Sequence, residues 1–256
     1  MMSIVAFAGC ATSRPHATDI LARATLADPR PLVLVVDGAG GLGGCSTALT
    51  KTADDHAFEV VAFPWSHGQG RLLLDQIDVK HARRQGRRLA DAITRYKAHD
   101  SGRRIVLVAH SAGAAVALAA AEALPPHTID RLILLAPAVS DQYDLGPAAH
   151  AAREGVDVFC SKKDIWALGV AMRLFGTTDG RRTAAAAGRH GFRIPQDSEL
   201  ARQVRQHFWS PELISIGHNG GHYGAYSPEF IRHVLSPMLN PRSYVERSHD
   251  HYGNFD

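Results

Sequence analysis

The sequence predicts an α/β protein: an open, mostly parallel sheet of about six strands, with helices on both faces and a small cap or none. Three observations predict this class. The apolar runs are short, continuous and rich in branched residues, as in strands buried on both faces. They alternate with helical stretches, the arrangement that right-handed crossovers fold into one parallel sheet. At 256 residues, 45% hydrophobic and 21% charged, the chain supports one sizeable core rather than two comfortable domains.

The elements follow in order. "PLVLVV" (31–36) is the first strand, and it enters a glycine loop, "DGAGGLGG" (37–44). A helical stretch runs from about Ser46 to His56, and "FEVVAF" (58–63) is the second strand, closed by Pro64 and Trp65. A loop through "SHGQGR" leads to "KHARRQGRRLADAITRY" (80–96). At helical spacing Ala82, Gly86, Leu89, Ile93 and Tyr96 share one face of that stretch, and Arg83, Arg84, Arg87 and Arg88 share the other. This is a solvated amphipathic helix. With a formal net charge of only +3, one four-arginine face is a small footprint, so nucleic acid or anionic lipid is the lesser reading of it. "RIVLVA" (104–109) is the third strand, followed by a helix over 114–124; "IDRLILLAP" (129–137) and "VDVFCS" (156–161) are the fourth and fifth. "PELISIG" (211–217) reads as the sixth strand and "SPEFIRHVLSPML" (227–239) as the closing helix. Residues 165–210 are irregular and are expected to decorate one end of the sheet. Their Trp166, Leu168, Met172, Leu174 and Phe175 suit either the wall of an acyl pocket or a helix packed on the core.

The expected organisation is an N-terminal segment and tether (1–30), one α/β domain (31–240) and a tail (241–256). No run of eighteen or more apolar residues is present to span a bilayer. The first fifteen residues, "MMSIVAFAGCATSRP", hold a short apolar run ending in Phe7-Ala8-Gly9-Cys10. This resembles the lipobox of bacterial lipoproteins, in which small residues precede a lipidated cysteine, although Phe7 stands where Leu is usual and no basic residues precede the run. The resemblance implies lipidation at Cys10 and a lipid-anchored place in the cell envelope; the alternative is a frayed cytoplasmic terminus. The remaining cysteines, Cys45 and Cys160, define no disulfide framework, and their pairing is left open.

In open parallel sheets ligands bind beyond the carboxyl ends of the strands, so the residues there carry the functional reading. Ser111 follows the third strand directly. A serine hydroxyl becomes a useful nucleophile only with exposure, a base and donors for the developing oxyanion. A tight strand-to-helix turn supplies the exposure, provided that the positions two before and two after are small; here they are Ala109 and Gly113. The bland alternative is a serine that caps the helix. "AHSAG" in this setting resembles the nucleophile elbow, G-x-S-x-G, of the α/β-hydrolase superfamily, with Ala109 in place of the first glycine. The resemblance covers roughly 31–240 and implies an α/β-hydrolase fold and a serine hydrolase of esterase or lipase type.

The superfamily's chain order places the acid after a later strand and the histidine after the last. The resemblance therefore assigns the acid to Asp164, just past the fifth strand, with Asp157 and Asp179 as second choices. Otherwise Asp164 is a loop carboxylate beside Lys162 and Lys163. It assigns the base to His222, behind Gly220 and Gly221, with His218 as the alternative. The oxyanion donors would be the backbone N–H groups of Ala112 and of Ala39, the latter in the "DGAGG" loop with neighbours Gly38 and Gly40. The spacing Gly38, Gly40, Gly43 also fits a dinucleotide fingerprint, but no acidic residue ends the next strand. His218 and His222 are four apart, yet "NGG" between them is a poor helix and no Glu follows the first, unlike a zinc-peptidase helix. No cofactor and no metal are expected. The segment between the fourth and fifth strands, where larger caps are inserted in the superfamily, is short and implies an open site for a small acyl substrate. A second reading is an envelope binding protein that kept the fold and lost turnover. Oligomeric state is not legible.

Overall fold

The computed structural model describes residues 21, 24, 28–52, 57–164, 177–180 and 185–241. Cys10, the whole lipobox-like segment and the apolar residues 166–175 lie outside the described residues.

Among the described residues six strands form one parallel sheet in the order β2-β1-β3-β4-β5-β6. The strands are β1 (Leu32–Val36), β2 (Glu59–Ala62), β3 (Ile105–His110), β4 (Arg131–Leu135), β5 (Val156–Cys160) and β6 (Val204–Phe208). Between them run α1 (Gly44–Thr52), α2 (Leu72–Ile77), α3 (Val79–His99), α4 (Gly113–Ala121), α5 (Gly146–Ala151), α6 (Ala187–His190) and α7 (Glu199–Gln203). After β6 come two 3₁₀ turns (Pro211–Ile216 and Gly224–Tyr226), then α8 (Pro228–Phe230), a π-helical turn (Ile231–Leu235) and α9 (Ser236–Leu239).

The continuous apolar runs are explained by burial on both faces. Leu34, Leu107 and Leu134 point into one layer with Leu89 and Ile93 of α3 and most of α4. Their neighbours Val35, Val108 and Ile133 point into the other, against Cys45 and Leu49 of α1 and Phe230, Ile231 and Leu235 of the terminal helical turns. The closest helix contact, α3 on α4, depends on Gly86, where a Cβ would stand 2.6 Å from that of Ala119.

One strand expectation is corrected. "PELISIG" is not the sixth strand: Pro211–Ile216 forms a 3₁₀ turn that ends on Gly217 in the left-handed conformation. The sixth strand is the polar "VRQHF", an edge whose residues after Val204 are partly or fully exposed. Its side chains after Val204 include Arg205, Gln206 and His207, so it holds no apolar run and apolar patterning passed over it. Two short helices, α2 and α5, also fall where the sequence reads as loop.

The chain runs from β1 outward to β2 and then back across β1 to β3. That reversal opens a crevice at the carboxyl ends of β1 and β3, the place where such sheets bind ligands. The glycine loop follows β1 there, and Ser111 follows β3.

Candidate active site

Ser111 is held at φ 52°, a left-handed conformation that costs a non-glycine residue about 1–2 kcal/mol. Its surroundings impose this shape. Its N–H donates to the Leu135 carbonyl at 3.0 Å, and its own carbonyl accepts from Ala138 and Ala114 at 3.0 and 3.1 Å. Gly113 then packs against β1 so closely that a Cβ would lie 2.4 Å from the carbonyl oxygens of both Val36 and Asp37. The small residue two after the serine is therefore demanded by the neighbouring strand.

The loop after β1 turns through Gly40, Gly41 and Gly43, all with positive φ. Such conformations favour glycine. The Gly40 N–H donates to Asp75 Oδ2 at 2.7 Å. Neither Ala39 nor Ala112 has a partner for its N–H among the described hydrogen bonds. Gly38 lies against the elbow, since a Cβ on it would meet His110 Nδ1 at 3.0 Å and the Ser111 Cβ at 3.4 Å.

Asp164 and His222 arrive from two later loops. The His222 Nδ1–H donates to Asp164 Oδ2 at 2.5 Å, which fixes the tautomer and leaves Nε2 as the acceptor for the Ser111 hydroxyl at 2.8 Å. Asp164 is buried. The histidine loop is pinned at several points. The Ser161 hydroxyl donates to the Gly220 carbonyl at 2.5 Å, and the Trp209 indole N–H donates to the His218 carbonyl at 2.7 Å. Lys163 Nζ sits over the Trp209 ring, 4.2 Å from its centroid.

His218 is not brought to the serine. It is buried edge-on against Phe230, its Nδ1 accepts from the Gly220 N–H at 3.1 Å, and burial pushes its pKa down to about 4. Asp157 lies inside β5, paired with Arg131, Arg205 and His207, and Asp179 Oδ1 accepts from the Ser140 N–H. Neither approaches the serine–histidine pair through any described hydrogen bond.

Two residues of the site were missed by sequence reasoning. His110 is buried, and its Nε2–H donates to the His222 carbonyl at 3.0 Å. Burial, with His222 close by, lowers its pKa to about 3, so it stays neutral when a second imidazole beside it charges. Its position inside "AHSAG" was the available signal. Asp75 is buried and accepts from the Gly40 N–H, the Ser66 hydroxyl (2.5 Å), the His67 N–H (2.8 Å) and His67 Nδ1 (2.8 Å). These bonds hold its carboxyl below the usual range despite burial. A lone acid inside "LLLDQI" was its only trace.

The crevice opens into a cavity of about 670 Å³ that contains Ser111 and His222. Its walls are mostly apolar, with Leu42, Leu72, Leu73, Ala138, Tyr223 and Tyr226 among them. Among the described residues of the wall the one carboxylate, Asp37, accepts from the Ser46 N–H at the start of α1. Away from the cavity, His67, Asp78 and His81 bring one possible metal-ligand atom each within 4.8 Å of one another. Those groups are engaged with protein: His81 Nε2 donates to the Trp65 carbonyl, and the Arg84 guanidinium donates to His81 Nδ1 at 2.9 Å. A cation there would face the guanidinium.

A family model described as serine aminopeptidase, S33, matches residues 27–183. Similar solved structures include LpqC, a poly(3-hydroxybutyrate) depolymerase from Bordetella parapertussis, at 13% identity, covering 82% of this chain and 79% of that one, with a TM-score of 0.47. Others are the carboxylesterase CesB from Bacillus subtilis (10% identity, 82% and 84%, TM-score 0.43) and a propionate-bound esterase from Thermogutta terrifontis (14% identity, 88% and 86%, TM-score 0.42). No curated protein matches the chain.

Proposed function

The chain belongs to the serine aminopeptidase S33 family and is a hydrolase, and from that premise we propose that it cleaves carboxylic esters through an acyl-enzyme on Ser111. The observation that carries the reading is the relay Ser111 Oγ–His222 Nε2–Asp164, with contacts of 2.8 and 2.5 Å, beside the N–H groups of Ala39 and Ala112, which have no partner among the described residues.

In this mechanism His222 Nε2 takes the hydroxyl proton as Ser111 Oγ attacks the acyl carbonyl carbon. Asp164 stabilises the resulting imidazolium without taking its proton. The carbonyl oxygen gains the negative charge and accepts from the Ala39 and Ala112 N–H groups. Collapse expels the alcohol, which receives the proton from His222. Water, deprotonated by the same imidazole, then releases the acid and restores Ser111. His110 keeps the His222 backbone in place and, being neutral, does not oppose the imidazolium. The apolar cavity wall supports an uncharged acyl group as the part of the substrate held there.

Labelling with a fluorophosphonate and hydrolysis of short p-nitrophenyl esters test the reading together. Both are expected in the wild type and absent in Ser111→Ala. Labelling of Ser111→Ala at wild-type strength overturns it. Lipid attachment at Cys10 is a separate proposal, resting on the lipobox-like segment alone. The mass of the membrane-extracted protein with and without Cys10→Ser decides it.

A further inference from the structure

A helix at a water surface ordinarily turns its apolar side inward and its charges outward. α2 is built the other way round. Its aspartate, Asp75, is 1% exposed, whereas Leu72, Leu73, Leu74 and Ile77 are 43–53% exposed. This orientation is not fraying, because four hydrogen bonds to the Asp75 carboxylate fasten the helix with its leucines outward. Leu42 and Tyr223, which line the same cavity, are more open still, at 67% and 66%, and Leu42 lies beside Leu72, since a Cβ on Gly40 would meet both. Exposed aliphatic and aromatic side chains thus gather at this cavity, a patch of the kind that marks an interaction surface.

The position of the patch restricts what can cover it. Leu72 and Leu73 belong both to the rim and to the cavity wall, so a protein seated on the rim would close the route to Ser111. An apolar phase that itself holds the substrate would cover the rim and feed the cavity at once. The charges beside it choose the headgroup. Arg71, Lys80, Arg83, Arg84 and Arg87 are exposed before and after α2. From Arg71 to Arg88 the only acids are the buried Asp75 and Asp78, which caps α3. Apolar side chains flanked by cations are the pattern of a helix that lies in the headgroup boundary of an anionic membrane.

We propose that α2, together with Leu42, Tyr223 and the flanking cations, docks the cavity mouth onto an anionic lipid surface. The idea rests on the hydrolase reading only for what the docking serves; the binding itself is measurable without turnover. The experiment uses the full chain carrying Cys10→Ser, so that no lipid anchor contributes, with and without Ser111→Ala. Each protein is sedimented with vesicles of phosphatidylglycerol and phosphatidylcholine, or of phosphatidylcholine alone.

Both proteins are expected to partition onto the anionic vesicles, and to be released as salt rises. Leu74→Glu with Ile77→Glu should lower that partition at least tenfold while hydrolysis of a soluble short ester stays at the parent rate, since neither side chain lines the cavity. Lys80→Glu with Arg83→Glu should lower it as well, and serves if the first variant is poorly folded. No partition of the parent onto anionic vesicles overturns the proposal, as does partition that both variants retain. A parent that is dimeric in solution and made monomeric by Leu74→Glu with Ile77→Glu also overturns it, because the face then belongs to a second copy. Vesicle binding without ester hydrolysis would instead count against the hydrolase reading alone.

Discussion

The two ends of the sheet handle charge in opposite ways. At the amino ends of the strands, Arg104 forks onto Glu154, and Arg131 bridges Glu154 and Asp157. Asp157 also takes Arg205 at 2.8 and 2.9 Å and His207 at 2.8 Å. With three cationic or protonatable partners, its carboxyl is held at about 2. At the carboxyl ends, the corresponding acid, Asp164, has His222 as its described ion-pair partner, and that imidazole also touches Ser111. The two aspartates lie seven positions apart in the chain. One is saturated with partners and fastens β4, β5 and β6 in register; the other is linked to a group that can gain and lose a proton. A buried carboxylate therefore reads as structural or functional from its partners, not from its burial.

Substitutions can break this contrast, and the largest effect is expected at the carboxyl end. His222→Ala should lower kcat by about 10³–10⁶ with the melting temperature nearly unchanged, while His218→Ala should cost no more than about tenfold. Steady-state ester hydrolysis and thermal melts on both proteins check the pair. Equal losses would show that the base has been misassigned.

Next comes Asp75→Asn. The amide presents a donor where Gly40, Ser66 and His67 all donate, so the loop bearing Ala39 loses its anchor. A fall in kcat of about 10–100-fold is expected, at most the loss of one oxyanion donor, with KM for a small ester little changed. At the opposite end, Asp157→Asn should leave kcat alone and lower stability by about 1–3 kcal/mol, because the facing arginines lose their counter-charge. Denaturant midpoints and kcat measured on one preparation test whether the two ends are separable.

The smallest effect is on pH dependence. His110 and His218 remain neutral in the fold down to about 3 and about 4, whereas the unfolded chain protonates them near 6.5. Below 6.5 the unfolded chain thus binds more protons, and stability falls as pH drops toward 4, by about 1.4 kcal/mol per unit for each histidine at the steepest. Asp157 adds little in that window, since most of its own stabilisation is lost between 3.8 and about 2. A His218→Phe variant should show a shallower fall between pH 6.5 and 4 in denaturant titrations.

Much of this was legible in the chain itself. Strands buried on both faces announce themselves as apolar runs, as β1, β3 and β4 do, and β5 and the half-exposed edge β2 were found from runs interrupted or preceded by one acid. The elbow was legible because its steric demands fall on neighbours in sequence, Ala109 and Gly113. What was not legible had no local cause. "VRQHF" is a strand only because β5 offers it an edge, and "PELISIG" is apolar without having a strand to pair with. Asp75 is a surface-type residue in composition and becomes buried because Gly40, Ser66 and His67 converge on it from elsewhere.

By itself, then, the sequence determined the layer order and the type of chemistry on offer, since burial periodicity and the crowding of a sharp turn act over a few residues. Only the tertiary structure decided which of two histidines meets Ser111, which aspartate meets that histidine, and why α2 shows its leucines to the outside. Those outcomes depend on contacts between groups 35 to 111 residues apart, and no local pattern encodes such distances.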